Sequence, residues 1–484
     1  MKYFLVIFLN IFSSLVLWAQ PALNSTKSHL EFIASEFSNN RYYLAGYYGK
    51  YTVLLDSVNA SNKGSIVFKK DKKYTEGIYL LVDSNKSIVT EFIMDKNQHF
   101  SMDIDLKNPL KNTVSNSKTN QDFLQFNRFL KNRFSKLDTL NSSLANQKTK
   151  NDSVLIHNKM ATIQKEISSY KNDYINKYPE NVISLLYKLS YSIDSYFETV
   201  DSSVLLKNKM DSLNYLKNNF FEGIDFSDER LLRNPFLEKK IGTYFTSLVN
   251  QTSEDITPEV FKILESTGSK ENEMFSYLSF YFLNTYAAPK IMGLDRVFVN
   301  IYQKYFNNKT YSWLKEPQRL SIRDIYIDLK GNLIGNRAPN LFLKTMLDKR
   351  IDLYDINASY IVLVFWDPSC GHCKTELPKI NKIYTQSWKK KNIKILAVNI
   401  NVDLKDQWKQ FIEKEELKDW IHTYPSDVVT GNYTKEEVDF QTLYNVHQTP
   451  VLYLLDENKN FIAKKVSFEQ YLDIIKNIEQ KLSE

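Results

Sequence analysis

The chain has 484 residues, 43% of them hydrophobic, with 63 basic against 56 acidic side chains, a net charge of +7 and only two cysteines. That length is more than one core serves, so several domains are expected. The mild, scattered charge excludes the concentrated basic face that nucleic-acid binding needs, and two cysteines exclude both a disulfide scaffold and a cysteine-rich metal centre.

Met1-Lys2, an apolar stretch from Tyr3 to Trp18, and Ala19-Gln20 follow the order of a secretory signal peptide: a positive start, a hydrophobic core and a small residue at the cut. We expect residues 1–19 to be cleaved off and the mature protein to be exported, to the periplasm of a Gram-negative envelope. An uncleaved N-terminal membrane anchor is the alternative, although a stretch interrupted by Asn10, Ser13 and Ser14 is short and polar for a span. No cysteine stands near residue 20, which excludes a lipid-modified amino terminus.

Short alternating runs at Tyr51–Leu55, Ser65–Phe68, Gly77–Val82, Ser87–Ile93 and Phe100–Ile104, separated by Asn, Asp, Lys and Gly clusters, predict a small antiparallel β domain over residues 28–112. From residue 118 to 322 the spacing turns helical. Phe123, Phe126, Phe129 and Leu130 mark one stripe, Leu185, Leu186, Leu189 and Ile193 a second, and Phe275–Tyr286 a third, which together predict an all-α middle domain with a polar turn over Asn141–Asp152.

Residues 330–484 carry the chemistry. Tyr360 to Trp366 is a continuous β-branched and aromatic run, the pattern of a strand buried on both faces. Lys374 to Lys391 has helical spacing, with Leu377, Ile380, Ile383, Tyr384 and Trp388 on one side and Pro378 inside it, where the missing amide hydrogen predicts a kink. Between them stand the only two cysteines, Cys370 and Cys373, three positions apart on a strand-to-helix turn. A CxxC there closes a small disulfide and leaves the first sulfur facing the unsatisfied amides of the helix, which favour a thiolate.

Four features together resemble the thioredoxin-fold thiol-disulfide oxidoreductases of the TlpA/ResA type. They are Gly335-Asn336-Arg337-Ala338-Pro339, the Trp366-x-x-x-Cys370-x-x-Cys373-Lys374 core, Glu376-Leu377-Pro378, and Thr449-Pro450 ahead of the apolar run Val451–Leu455. The resemblance implies an α/β thioredoxin fold for residues 330–484 and a multidomain chain overall. It implies a cis peptide at Thr449-Pro450, with Trp366, Thr449 and Pro450 forming the surface that receives a substrate chain. Cys370 would attack and Cys373 would resolve the mixed disulfide. His372, between the cysteines, would tune the thiolate by charge or hydrogen bonding. Glu376, one turn beyond Cys373, would relay its proton, with a solvated pair to Lys379 or Lys382 as the bland alternative. Ordinary thioredoxins carry a buried aspartate where this chain has Val364, so that relay is absent.

The resulting expectation is an exported enzyme, without cofactor or metal, that exchanges disulfides with protein substrates through its Cys-Gly-His-Cys pair as a reductase or isomerase. A membrane or periplasmic donor would supply electrons. The alternatives are a thiol peroxidase of the peroxiredoxin type and a partner-binding accessory protein in which the redox site is incidental.

Overall fold

The structure is a computed structural model that describes residues 27–38, 40–145, 150–191, 209–426 and 439–483. The expected signal peptide and Ile193 lie outside these residues. The chain divides into two compact units, the first of residues 1–250 and 265–275 and the second of residues 251–264 and 276–484. The helical stretch contributes to both.

In the first unit the strands are β1 (Ser28–Ile33), β2 (Arg41–Tyr48), β3 (Tyr51–Asn59), β4 (Ser65–Lys70), β5 (Gly77–Val82), β6 (Ile88–Met94), β7 (His99–Asp103) and β8 (Thr113–Ser115). They form two four-stranded sheets, β4-β1-β7-β8 and β3-β2-β5-β6. The expected antiparallel domain is therefore corrected in one respect: β1 and β7 run parallel, in register from His29↔His99 to Ile33↔Asp103. The chain leaves β1 for the other sheet, returns antiparallel as β4, crosses again, and re-enters on the free side of β1 in the same direction. Such a parallel pair requires a long crossover, which β2 to β6 supply.

Leu30, Phe32, Ile66 and Phe68 of one sheet pack with Leu44, Tyr79, Phe92 and Met94 of the other, with Phe32 and Phe92 ring centroids 5.1 Å apart. Each such side chain taken from water contributes on the order of 2 kcal/mol. The opposite face of the second sheet, through Ile78 and Ile93, meets Phe126, Val182, Ile183, Leu186 and Tyr187. These belong to α1 (Lys118–Ala145) and α3 (Val182–Ser190), which α2 (Lys150–Lys177) connects. All six residues of β5 are consequently buried. β6 is an edge strand, and Asn120 caps it: its Oδ1 accepts from Ile93 N at 2.7 Å and its Nδ2 donates to Ile93 O at 2.8 Å, as a neighbouring strand would. The unit closes with α4 (Lys209–Asn219) and α5 (Leu237–Ser247).

The second unit holds most of α6 (Ser253–Ser266) and α7 (Glu273–Ala287), then α8 (Asp295–Ile301) and α9 (Glu316–Lys330). Its sheet is built from β9 (Phe342–Thr345), β10 (Arg350–Asp352), β11 (Tyr360–Trp366), β12 (Ile393–Asn399), β13 (Ile421–Pro425), β14 (Val451–Asp456) and β15 (Phe461–Lys464). The order is β10-β9-β13-β12-β11-β14-β15, with β11 parallel to β12 and antiparallel to β14. The helices are α10 (Gly371–Ile383), α11 (Lys405–Lys414), α12 (Phe440–Leu443) and α13 (Tyr471–Ser483).

Successive residues of β11 point to opposite faces. Val362, Val364 and Trp366 join Cys373, Leu377 and Ile380 of α10 and Tyr471 and Ile475 of α13. Ile361, Leu363 and Phe365 join Tyr444, Tyr453 and Phe461 on the other side. Both faces of β11 are thus covered, as its unbroken apolar run predicts. α10 gives way to a π turn over Tyr384–Trp388, which seats the fully buried Trp388 against Tyr471 with centroids 5.9 Å apart. Among the described residues no helix is long and apolar enough to cross a membrane.

Candidate active site

β11 runs out at Trp366 and the chain turns over Asp367-Pro368-Ser369 into α10. The turn closes by Cys370 N donating to Asp367 O at 3.0 Å. Cys370 is the N-cap of α10, and its Sγ accepts from the Cys373 amide at 3.4 Å. A sulfur in that position faces the unpaired amides and the positive end of the helix dipole. The Thr449–Pro450 bond is cis, and Thr449 O lies 3.3 Å from Cys370 Sγ, within reach of the thiol hydrogen. The run before β14 therefore delivers a backbone carbonyl to the first sulfur.

The two sulfurs, both free thiols, differ in environment. Cys370 is partly exposed and Cys373 is fully buried. Burial alone would push the Cys370 thiol up. Hydrogen bonds from the Thr449 side chain and from the Cys373 and His372 amides outweigh it and hold the pKa below its ordinary value. Cys373, enclosed by Trp366, Leu377 and Ile380, is pushed up to about 12, chiefly by burial, against an opposing hydrogen bond from the Asp367 backbone. One sulfur is poised to ionise and the other to stay protonated.

The structure places the other expected site residues as follows. Trp366 is fully buried and packs on Phe411 with centroids 5.4 Å apart. It supports Cys373 from below and offers no surface to a substrate, because its position in the strand shares the inward face of Val362 and Val364. His372 is exposed, and among the described residues its ring makes no hydrogen bond or ion pair. Its backbone amide is one of the donors that lower the Cys370 pKa, after the Thr449 and Cys373 hydrogen bonds. The Glu376 carboxylate pairs with Lys379 Nζ at 2.8 Å, the partner named above as the alternative, and no hydrogen bond joins it to Cys373. Thr449 and Pro450 are half-exposed beside Cys370. Val364 is fully buried in the core.

Asp367 escaped the sequence reading, although an Asp two residues ahead of a Ser is a turn signal. Its Oδ1 accepts from Ser369 N at 2.6 Å and Ser369 Oγ at 2.7 Å, and its Oδ2 from Asn401 Nδ2 at 3.2 Å. Burial would raise its pKa, but these bonds and the charge of Lys374 lower it. The backbone of Asn401 is held in turn, its amide donating to Asn399 Oδ1 at 2.9 Å.

Residues 334–464 match the model of the AhpC/TSA family, and residues 147–332 match a domain of unknown function (DUF5106). A protein of Bacillus cereus named thiol-disulfide oxidoreductase ResA is 24% identical over 158 residues, covering 33% of this chain and 83% of its own length. The ResA of Geobacillus kaustophilus is 28% identical over 149 residues, 30% of this chain and 78% of the relative. Among solved structures, "a domain of possible thiol-disulfide isomerase" from Cytophaga hutchinsonii is 35% identical and covers 31% of this chain and 96% of that domain, with a TM-score of 0.28. A thioredoxin-like protein from Bacteroides caccae is 20% identical over 57% of this chain and 96% of its own, with a TM-score of 0.43. The C-terminal domain is thus a thioredoxin-like domain that matches the AhpC/TSA model, and over that stretch the chain is similar to thiol-disulfide oxidoreductases of the ResA/TlpA type. Its relatives are named for disulfide exchange, so the peroxidase alternative is not favoured.

Proposed function

We infer that this protein is an exported reductase or isomerase of protein disulfides that works through Cys370 and Cys373. The observation that carries the reading is the placement of the two sulfurs: Cys370, partly exposed at the amino end of α10, takes the Cys373 amide and lies beside the Thr449 carbonyl, while Cys373 is buried beneath it. The Cys370 thiolate attacks one sulfur of a client disulfide. A mixed disulfide forms and the other client sulfur leaves as a thiolate that takes up a proton. Cys373 then gives up its proton and its sulfur attacks Cys370 Sγ. The second client thiolate departs, and the electron pair passes to the client as the Cys370–Cys373 disulfide closes. A dithiol protein outside the cytoplasm returns two electrons to the pair. Thr449 and Pro450 present backbone to the client chain, and Glu376, one turn along α10, takes the proton of Cys373 once Lys379 releases it.

Support for export comes from the order of residues 1–20. The test is the equilibrium of the full mature chain with glutathione, together with insulin reduction by wild type and Cys370→Ser. A potential between about −270 and −180 mV with activity lost in the variant is expected, whereas a potential near about −120 mV, that of a strong oxidant, overturns the reductive reading.

A further inference from the structure

The loop between β11 and α10 is tied to the far side of the site by a carboxylate that the exchange chemistry itself does not consume. We propose that Asp367 is a positioning residue: its clasp on Ser369 and Asn401 holds the turn that places Cys370 Sγ at the amino end of α10. The proposal rests on the exchange reading above and adds to it a residue that sets how the attacking sulfur is presented.

Three observations converge. Asp367 binds by both ends at once, since its main-chain oxygen takes the Cys370 amide while its side chain takes the Ser369 amide and hydroxyl. Two consecutive bonds of this kind fix the φ and ψ angles of the residues leading to the N-cap. The other carboxylate oxygen is bound by Asn401, 34 positions on, in the loop after β12. That anchor is itself rigid. The Asn401 amide donates to Asn399 Oδ1, Ile400 N donates to Trp366 O at 2.9 Å, and Asn399 is fully buried at the end of its strand. The turn is thereby stapled to the neighbouring strand, and the sulfur cannot swing from the helix end without breaking charge-assisted bonds.

The carboxylate also carries a negative charge on the turn that leads to Cys370. The titratable side chains that follow on α10 are His372, Cys373 and Lys374, the last of which attracts Asp367; Asn401 and Thr449 are neutral. The clasp and the charge are separable by substitution. Asp367→Asn removes the charge and keeps an acceptor for Ser369. Asp367→Ala removes both.

The experiment follows iodoacetamide alkylation of Cys370 from pH 5 to 9 in the full mature chain carrying Cys373→Ser, and insulin reduction in the chain with both cysteines. Asp367→Asn, which keeps the acceptor for Ser369, is expected to alkylate within about threefold of its parent at pH 6. Asp367→Ala is expected to alkylate, and to reduce insulin, about tenfold more slowly than Asp367→Asn, because both are neutral and only the clasp differs. Asn401→Ala, which leaves the turn's local bonds intact, is expected to shift the profile in the direction of the alanine variant by a smaller factor. Identical profiles and rates for Asp367→Asn and Asp367→Ala, or a changed melting temperature with an unchanged profile, overturn the proposal. Should Asp367→Ala fail to fold, a profile for Asn401→Ala that superimposes on its parent overturns it equally. Wild type that reduces no disulfide sinks the exchange reading instead, and the alkylation arms still decide the role of Asp367.

Discussion

Lys464 of β15 and Asp295 of α8 meet at 2.5 Å with side chains only 3% and 5% exposed. Lys464 Nζ also donates to Asn332 O at 2.6 Å and Asn332 Oδ1 at 2.8 Å, so the three ammonium hydrogens all have acceptors. Burial lowers the pKa of this lysine and Asp295 opposes that shift. Helix α8 is thereby fastened to the edge of the seven-stranded sheet by a charge pair that water does not reach.

Removing one member of such a pair strands the other in a low-dielectric setting. Lys464→Met or Asp295→Leu is expected to cost about 3–5 kcal/mol, and the double variant less than the sum of the two. Urea unfolding followed by tryptophan fluorescence measures all three. Additive losses would show that the residues do not act as a pair.

The acidities of the two sulfurs predict selective chemistry. At neutral pH one equivalent of iodoacetamide is expected on Cys370 and none on Cys373, whose pKa of about 12 keeps it protonated. Peptide mapping after brief alkylation of the reduced chain reads this directly. Equal labelling of both positions would contradict the assigned burial.

Glu376→Gln addresses the second half of exchange. The variant is expected to leave the rate of Cys370 alkylation unchanged while slowing collapse of the mixed disulfide several-fold between pH 6 and 8. Trapping that intermediate with a peptide disulfide measures the lag. A wild-type rate across this range would mean that water alone takes the Cys373 proton.

His422 on β13 is buried, with Nε2 donating to Leu417 O at 2.8 Å and Nδ1 without a partner among the described residues. Burial depresses its pKa from 6.5 to about 4, against the opposing effect of that hydrogen bond. Between these values the unfolded chain binds the proton and the folded chain does not, so stability is full above pH 6.5 and declines as the pH falls towards 4. The slope is at most about 1.4 kcal/mol per pH unit and the total about 3 kcal/mol. Urea midpoints of wild type and His422→Leu over pH 4–7 test it, the variant being expected to lose that much less on acidification.

Gly331 follows α9, and a Cβ built there lies 2.5 Å from Leu443 O. The contact is with backbone, which cannot step aside as a flexible side chain would. Gly331→Ala is expected to destabilise by about 1–3 kcal/mol. Because Leu443 leads into the run that ends at Thr449-Pro450, the variant is also expected to lower insulin reduction. A wild-type melting temperature would refute the close approach.

Much of the C-terminal domain was legible in the residues. The apolar run of β11 and the cysteines at the head of α10 each have a local cause that a short window contains, whereas the cis Thr449-Pro450 bond followed only from the family resemblance. The inward face of Trp366 was also within reach, since alternation along β11 places it with Val362 and Val364; the motif drew attention to substrate instead. What could not be read were pairings between distant positions. The Asp367–Asn401 clasp and the Lys464–Asp295 pair bring together residues that no periodicity relates, and the parallel match of β1 with β7 depends on how the intervening chain crosses between two sheets. Polar positions in a loop or at an exposed-looking lysine carry no mark of the partner that folding supplies.

Asn120 has a consequence for crowding. By occupying both outward hydrogen-bonding groups of Ile93 it denies that position of the border to an extended peptide from another molecule. A foreign strand would have to evict the amide before it could pair at that position, so one side chain at the start of α1 interrupts the rim as a template.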